Sequence, residues 1–315
     1  QARAAGARFV SLKAGESTKS LDPMSGVIER LRDMGANRKT HLIAVGGGVV
    51  QDVATFVAGV YMRGLSWTYL PTTLLGMADS CIGGKSSINV GKYKNLVGSF
   101  HPPVAVLVDP EFLEGLPPLQ RAAGLCEAGK ICFVRGPAPF AAYLDAAPST
   151  ETSIAGFQRI LVLSLRTKKW FIEIDEFDQA ERQLLNFGHT FGHALEGASN
   201  FGISHGLAVG LGMVAAIHFG RASGFDYARS PHVAALRAHV GDLLEAAPEL
   251  GALLAGVSVA EAMRRFESDK KHGTDRYAVI VPNGQGIVER LMLPKGPEIR
   301  DRVEYALTAT IQEFI

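Results

Sequence analysis

The sequence predicts an α/β fold, with an N-terminal Rossmann-like parallel sheet domain followed by an all-α C-terminal domain. Three observations carry this. Short apolar runs alternate with helical patterns up to about Pro118, the arrangement of a parallel sheet. Long amphipathic or apolar helical patterns then dominate from 119 to about 270. A length of 315 residues fits two domains at about 150 residues each.

The elements follow in order. Met24, Val27, Ile28, Leu31 and Met34 recur at helical spacing, and Gly35 supplies the stop. His41 to Val45 is an apolar run typical of a buried parallel strand, ending in Gly46-Gly47-Gly48, with a helix over Val49 to Val60. A second strand, Trp67 to Leu70, leads into Pro71-Thr72-Thr73, and a third, Val104 to Val108, ends at Asp109-Pro110. Between them, Asp79 to Asn95 has the composition of a loop. Helical patterns cover 119–147, 151–172, 180–199, 205–223, 231–247 and 258–270, and one late strand, Tyr277 to Val281, is closed by Pro282-Asn283-Gly284. No repeat or low-complexity linker separates domains 1–118 and 119–315, which predicts an extensive interface and a cleft.

Composition narrows the function. With 47% hydrophobic and 20% charged residues, the chain is neither disordered nor fibrous. Lys+Arg 32 against Asp+Glu 31 leaves a net charge of +1, so no global field favours nucleic acid or an anionic membrane. Any anion site is local. Cys81, Cys126 and Cys132 lack C-x-x-C spacing, which points to reduced thiols in a cytoplasmic protein. Apolar runs such as Gly206 to Phe219 fall short of the ~20 residues that span a bilayer. The first ten residues show neither an initiator Met nor a strand, leaving room for an element ahead of Gln1.

Three stretches carry chemistry. Glycines 46 to 48, between strand and helix, clear a path for a pyrophosphate to backbone N–H groups at the positive helix end. The spelling is not G-x-G-x-x-G, so a plain tight turn is the competing reading. Asp52, one turn on, suits a ribose or nicotinamide amide, or a solvated first-turn acid. Lys85, Lys92, Lys94, Asn89 and Asn95 cluster among glycines in the Asp79 to Asn95 stretch, a composition suited to phosphate or sugar phosphate.

The sharpest stretch is Asn186-Phe-Gly-His189-Thr-Phe-Gly-His193-Ala-Leu-Glu196, followed by His205. Histidines at i and i+4 project from one helix face and suit a shared divalent ion. A lone histidine there would be a packed core residue, but three within 17 positions favour metal binding or proton transfer. A carboxylate is needed to complete a catalytic zinc set, and Glu127 is the best candidate because Lys130 follows one turn later. Arg182, one turn before Asn186 on the same helix, suits the bidentate clamp of a carboxylate, with a surface position the competing reading for such a lone basic residue; Lys168 and Lys169 form a second basic element. Asp269-Lys270-Lys271 reads as an exposed basic node.

These blocks together resemble a family. Gly46-Gly-Gly-Val-Val-Gln-Asp52, Tyr61-Met-Arg63-Gly, Pro71-Thr-Thr-Leu-Leu75, Asp79 through Lys85, Lys94-Asn95, Glu127 to Lys130, Leu185 through His193 and Asp269-Lys-Lys271 stand in the order seen in 3-dehydroquinate synthases and related sugar-phosphate cyclases. The resemblance covers nearly the whole chain; the family begins with an additional strand-helix portion that has no match in this sequence, which implies that some adenosine contacts are absent. It implies a Rossmann-like NAD domain, a helical domain, a Zn²⁺ or Co²⁺ site between them, and a homodimer. The implied metal ligands are Glu127, His189 and His205, with His193, a ligand on spacing alone, moved to substrate phosphate and proton transfer. NAD would meet Glu16, Lys19, Gly47, Gly48, Asp52, Thr72, Thr73, Asp79 and Lys94. The substrate would meet Asp79, Lys85, Asn95, Lys130, Lys168, Arg182, Asn186, His193 and Lys271, with Arg63 arriving from a partner subunit. His193, Lys130, Asn186 and Lys85 are the residues implied in catalysis.

The implied reaction oxidises C5 of 3-deoxy-arabino-heptulosonate 7-phosphate with NAD⁺, eliminates phosphate, returns the hydride and closes the carbocycle. Retention of Lys168 and Arg182 favours this carboxylate substrate over neutral sugar phosphates. Other cyclases, namely an amino-dehydroquinate synthase or a sedoheptulose 7-phosphate cyclase, use the same chemistry. A metal-dependent alcohol dehydrogenase leaves Arg63, Lys85, Lys94 and Lys271 without a purpose.

Overall fold

The computed structural model describes residues 6–91 and 93–315, so the reading of the start at Gln1 and the Lys92 member of the basic stretch lie outside it. The chain forms two compact units, Gln1–Glu114 and Gly115–Ile315.

In the first unit, α1 (Met24–Asp33) buries Met24, Val27 and Leu31, the residues of the helical pattern. It is followed by β1 (His41–Gly46), α2 (Gly48–Val60) and β2 (Ser66–Pro71). β1 and β2 run parallel, with Ala44 opposite Tyr69 and Gly46 opposite Pro71. The expected loop after β2 is more ordered than its composition suggests. It opens with a π-helical turn, Gly76–Ser80, and contains an antiparallel hairpin of β3 (Ile88–Val90) and β4 (Tyr93–Val97). The third parallel strand, β5 (Ala105–Val106), is shorter than its apolar run and pairs with β2.

This sheet is not buried on both faces, as the apolar run of β1 had implied. The face bearing Ala44, Trp67 and Tyr69 is enclosed, whereas Ile43 and Val45 alternate onto the other face and are 66% and 52% exposed. Parallel sheets are ordinarily covered on both sides.

The second unit is helical. Its order is α3 (Pro118–Arg135), α4 (Pro137–Asp145), α5 (Ile154–Ile174), α6 (His189–Ala198), α7 (His205–Ala222), α8 (Pro231–Glu245), α9 (Leu250–Ala255) and α10 (Val259–Glu267). An antiparallel hairpin of β6 (Arg276–Pro282) and β7 (Val288–Pro294) follows, then α11 (Pro297–Glu313). β7, α9 and α11 have no counterpart in the sequence reading.

Two continuous helical patterns are broken. The 119–147 pattern splits at Gly136 (φ 126°), where Pro137 opens α4. The 180–199 pattern is a 3₁₀ segment, Glu181–Asn186, separated from α6 by Gly188 (φ 78°). Arg182 and Asn186 are therefore not on the histidine helix. α7 is apolar all round, as a fully buried helix must be. It packs against α3, α6, α8, α11 and β6. A Cβ at its Gly206 would lie 2.2 Å from the Ala123 carbonyl of α3, and one at Gly212 1.8 Å from the carbonyl of Gly188 beside α6. These close approaches bring the metal-binding candidates of three helices together.

Candidate active site

The first unit gathers its candidate nucleotide residues around the β1–α2 turn. Gly46 adopts φ 158°, and its carbonyl accepts the Thr72 N–H at 3.0 Å and the Tyr69 hydroxyl at 3.1 Å. The turn is thereby tied to the end of β2. A Cβ at Gly47 would press on Thr73 Cγ2 at 2.9 Å, whereas at Gly48 it would meet nothing within 4 Å. The first turn of α2 is open there, and its unpaired N–H groups suit an anion.

Asp52 is no solvated first-turn acid. Its Oδ2 lies 2.8 Å from Lys19 Nζ and its Oδ1 accepts the Ser87 N–H at 2.8 Å. Burial pushes its carboxyl upward, outweighing the opposing pull of Lys19. Glu16 lies 3.4 Å from Lys94 Nζ and accepts from Asn89 Nδ2 at 2.9 Å, while Asn89 Oδ1 accepts the Asn95 N–H at 2.9 Å. Glu16, Lys19, Asp52 and Lys94 thus form one linked group, joined by Asn89, read from composition as part of a phosphate-suited stretch, and by Ser87, which sequence reasoning left without a role. Asp79 sits in the π-helical turn, the Lys85 ammonium lies 5.9 Å from the Phe100 ring centroid, and Arg63 is exposed at φ 69°.

The second unit holds the metal candidates. Glu127 and Lys130 occupy successive turns of α3 and are almost fully buried, so they are not a surface pair. Lys130 Nζ donates to Glu127 Oε2. The other oxygen, Oε1, is buried without a hydrogen-bond partner, and faces His205 Nε2 at 3.3 Å and His189 Nε2 at 3.6 Å. His193 joins the other two histidines in a group whose ligand atoms lie within 4.8 Å of one another. The geometry brings all three imidazoles together and puts Glu127 beside two of them.

Electrostatics keeps the carboxylate ionised and two of the three rings neutral. Burial alone would raise the Glu127 carboxyl, but the Lys130 charge and His205 hold it below its ordinary value. Burial and the nearby Lys130, His205 and Lys271 charges push His189 far down, and burial with Lys271 does the same to His193. Both rings are therefore neutral, as a metal ligand must be. Burial also opposes the charged form of His205, yet Glu127 and Glu196 raise it to about 9, so a proton occupies this ring in the metal-free chain. Two imidazoles aimed at one orphaned carboxylate oxygen fit Zn²⁺ or Co²⁺.

The remaining candidates of this unit are spread around it. Lys168 on α5 and Arg182 are buried, contrary to the surface alternative for lone basic residues. Asp175 Oδ2 accepts the Arg182 N–H at 3.1 Å, and the carboxylate also accepts the N–H groups of Gln179 and Ala180. Asp175 is a turn organiser that no motif marked. Asn186 Nδ2 donates to the Gln183 carbonyl at 3.0 Å, and Lys271 Nζ to Asp269 Oδ2 at 2.6 Å. Cys126 and Cys132 flank Glu127 and Lys130 on α3, and burial pushes both thiols up, Cys132 to about 12.

A parallel-sheet unit with a glycine turn, followed by a helical unit with a histidine and carboxylate cluster, defines a class of enzymes. Among solved structures, that of 2-deoxy-scyllo-inosose synthase, complexed with carbaglucose-6-phosphate, NAD⁺ and Co²⁺, superposes with TM-score 0.83 and 25% identity, covering 98% of this chain and 83% of that one. An iron-containing alcohol dehydrogenase shares the fold at TM-score 0.60 and 17% identity, over 95% and 82% of the two chains.

The family is narrower than the fold. Residues 9–123 match the 3-dehydroquinate synthase N-terminal family and residues 124–272 its C-terminal counterpart. The chain is 36% identical to the 3-dehydroquinate synthase of Solibacter usitatus over 87% of its length and 75% of the relative's, and 36% identical to that of Pyrobaculum islandicum over 96% and 86%. It belongs to the 3-dehydroquinate synthase family, whose members are enzymes of the carbon–oxygen lyase type. No helix among the described residues is long and apolar enough to cross a membrane.

Proposed function

We propose that the chain converts 3-deoxy-arabino-heptulosonate 7-phosphate to 3-dehydroquinate and phosphate, using NAD⁺ and Zn²⁺ or Co²⁺, as a homodimer in the cytoplasm. The observation that carries the metal-dependent reading is the orphaned Oε1 of buried Glu127, faced by the Nε2 atoms of His189 and His205. A structural relative complexed with NAD⁺ and Co²⁺ supports the cofactor pair, and the three free thiols suit a reducing compartment.

When bound, the cofactors supply a reversible hydride acceptor and a Lewis acid that acidifies the substrate's C5 hydroxyl. The chain supplies the rest. In the first unit, Gly47 and Gly48 leave backbone N–H groups open for the NAD pyrophosphate, with Glu16, Lys19, Asp52, Thr72, Thr73, Asp79 and Lys94 around the nucleotide. Arg63, Lys85 and Asn95 are assigned to the substrate phosphate, Arg63 acting from the partner subunit.

In the second unit, Glu127, His189 and His205 hold the metal, and Lys130 keeps Glu127 ionised while reaching the substrate. His193, a neutral ring, and the Lys271 ammonium hold the phosphate as it leaves, with His193 able to carry a proton at a phosphate oxygen. Asn186 orients the substrate. Lys168 and Arg182, two buried cations, hold its carboxylate, which favours a heptulosonate over a neutral sugar phosphate. We assign residues 1–118 to nucleotide binding and 119–315 to metal and substrate.

The test is phosphate release from 3-deoxy-arabino-heptulosonate 7-phosphate, sedoheptulose 7-phosphate and glucose 6-phosphate, with NAD⁺ and Zn²⁺ or Co²⁺ present. Release from the heptulosonate alone, without accumulating NADH, is expected. Release from a different sugar would keep the cyclase chemistry and replace the substrate, and net NADH formation would overturn the lyase reading.

A further inference from the structure

The surroundings of His205 extend past Glu127. Glu196 lies on α6, seven residues beyond His189, and is only 5% exposed. Carboxylates are almost never buried this deeply unless paired. Its Oε2 stands 3.7 Å from His205 Nδ1, while the opposite ring nitrogen, Nε2, faces Glu127 at 3.3 Å. One imidazole is held between two buried carboxylates, one for each nitrogen.

The connecting turn is built to return His205 to this place. It passes through Asn200 (φ 50°) and Phe201 (φ 63°), a left-handed conformation that side chains rarely adopt. Ser199 Oγ donates to the Glu196 carbonyl at 2.8 Å and accepts the Ile203 N–H at 3.2 Å, fixing the turn from inside. A neutral imidazole carries a proton on one nitrogen only. Nε2 is the nitrogen turned to Glu127 and the other imidazoles, so a shared cation would engage Nε2 and leave the ring's one proton on Nδ1, on the Glu196 side.

We propose that Glu196 is a positioning residue for the metal centre: a buried carboxylate 3.7 Å from Nδ1, it holds the far side of the His205 ring, sets its rotation and strengthens cation binding at Nε2. The inference rests on the reading of His205 as a ligand. Glu196 itself touches neither cation nor substrate in this scheme, and acts through the imidazole.

Two readouts on the full-length chain test it. The first is Zn²⁺ and Co²⁺ affinity, measured by competition with a chelator; the second is the Nδ1–H signal of His205 in the Zn²⁺-loaded protein, read by NMR with ¹⁵N-labelled histidine. Glu196→Ala is expected to weaken both metals about 10- to 100-fold and to shift or broaden that Nδ1–H signal. Glu196→Gln keeps an acceptor oxygen and is expected to restore most of the affinity. NAD⁺ affinity should be unchanged in both.

A folded Glu196→Ala protein with wild-type metal affinity and an unchanged Nδ1–H signal would overturn the proposal. If that variant does not fold, Glu196→Met, closer in volume, carries the same expectation and the same refutation. His205→Ala separates the two levels of the argument. Loss of metal in His205→Ala but not in Glu196→Ala refutes the positioning role alone, whereas metal affinity unmoved in His205→Ala refutes the ligand assignment beneath it.

Discussion

Glycine serves opposite ends in the two units. At the β1–α2 turn, a Cβ on Gly48 would meet nothing within 4 Å; on α7, a Cβ on Gly212 would meet the Gly188 carbonyl at 1.8 Å and the Gly192 nitrogen at 2.6 Å. The first leaves a space open, and the second has its space filled by a neighbouring backbone. A glycine in a sequence announces that something comes close. Its neighbours in the fold show whether that something is the chain itself.

The comparison is most easily broken at Gly212. Gly212→Ala forces α7 away from the start of α6 and should destabilise the protein by more than about 4 kcal/mol, measured by chemical denaturation. A loss under about 1 kcal/mol would mean that the helices yield freely and that their approach does not set the cluster. Next, Lys130→Ala strands the buried Glu127 carboxylate without its ammonium, at a cost of about 4 kcal/mol in the metal-free chain. Added Zn²⁺ should recover part of that loss. Equal losses with and without metal would argue that no cation meets Glu127.

A third prediction sharpens the contrast through pH. His239 is buried against the Tyr143 hydroxyl, at 2.9 Å, and burial lowers it to about 4. A folded value below the ordinary 6.5 means that the unfolded chain takes up a proton which the folded chain refuses. The associated stability is complete above pH 6.5 and is lost as pH falls toward 4, by up to about 3 kcal/mol at about 1.36 kcal/mol per pH unit. His239→Gln should flatten that limb of the metal-free stability profile, and parallel wild-type and variant profiles would count against it. The smallest effect on folding belongs to Gly48→Ala, within about 0.5 kcal/mol, because its Cβ has room. Its NAD⁺ affinity should nevertheless fall about tenfold or more, and an unchanged affinity would remove the pyrophosphate from that turn.

Local chemistry explains which parts were legible. The parallel strands, the glycine turn and the helices of the second unit announce themselves through apolar periodicity, and Glu127, His189, His193 and His205 through residue type and spacing. Breaks within helical patterns were hidden because Gly136 and Gly188 stop a helix by backbone angle while the apolar pattern runs on across them. The β3–β4 hairpin was hidden by its lysines and glycines, which look like loop. The open sheet face was missed because an apolar run does not say how many of its sides are covered. Glu196 and Asp175 went unassigned since their partners, His205 and the turn from Gln179 to Arg182, are set by the fold; the signal in the sequence was a carboxylate in an otherwise apolar histidine helix.

The two thiols that flank Glu127 and Lys130 have a practical consequence. With Cys126 and Cys132 shut away from solvent and their thiols pushed far above neutral pH, an alkylating reagent meets almost no thiolate while α3 stays packed. Labelling at either position therefore times the opening of the helix that carries Glu127 and Lys130. The molecule contains its own stopwatch for the breathing of this helix, readable by mass spectrometry of the alkylated protein with no residue introduced.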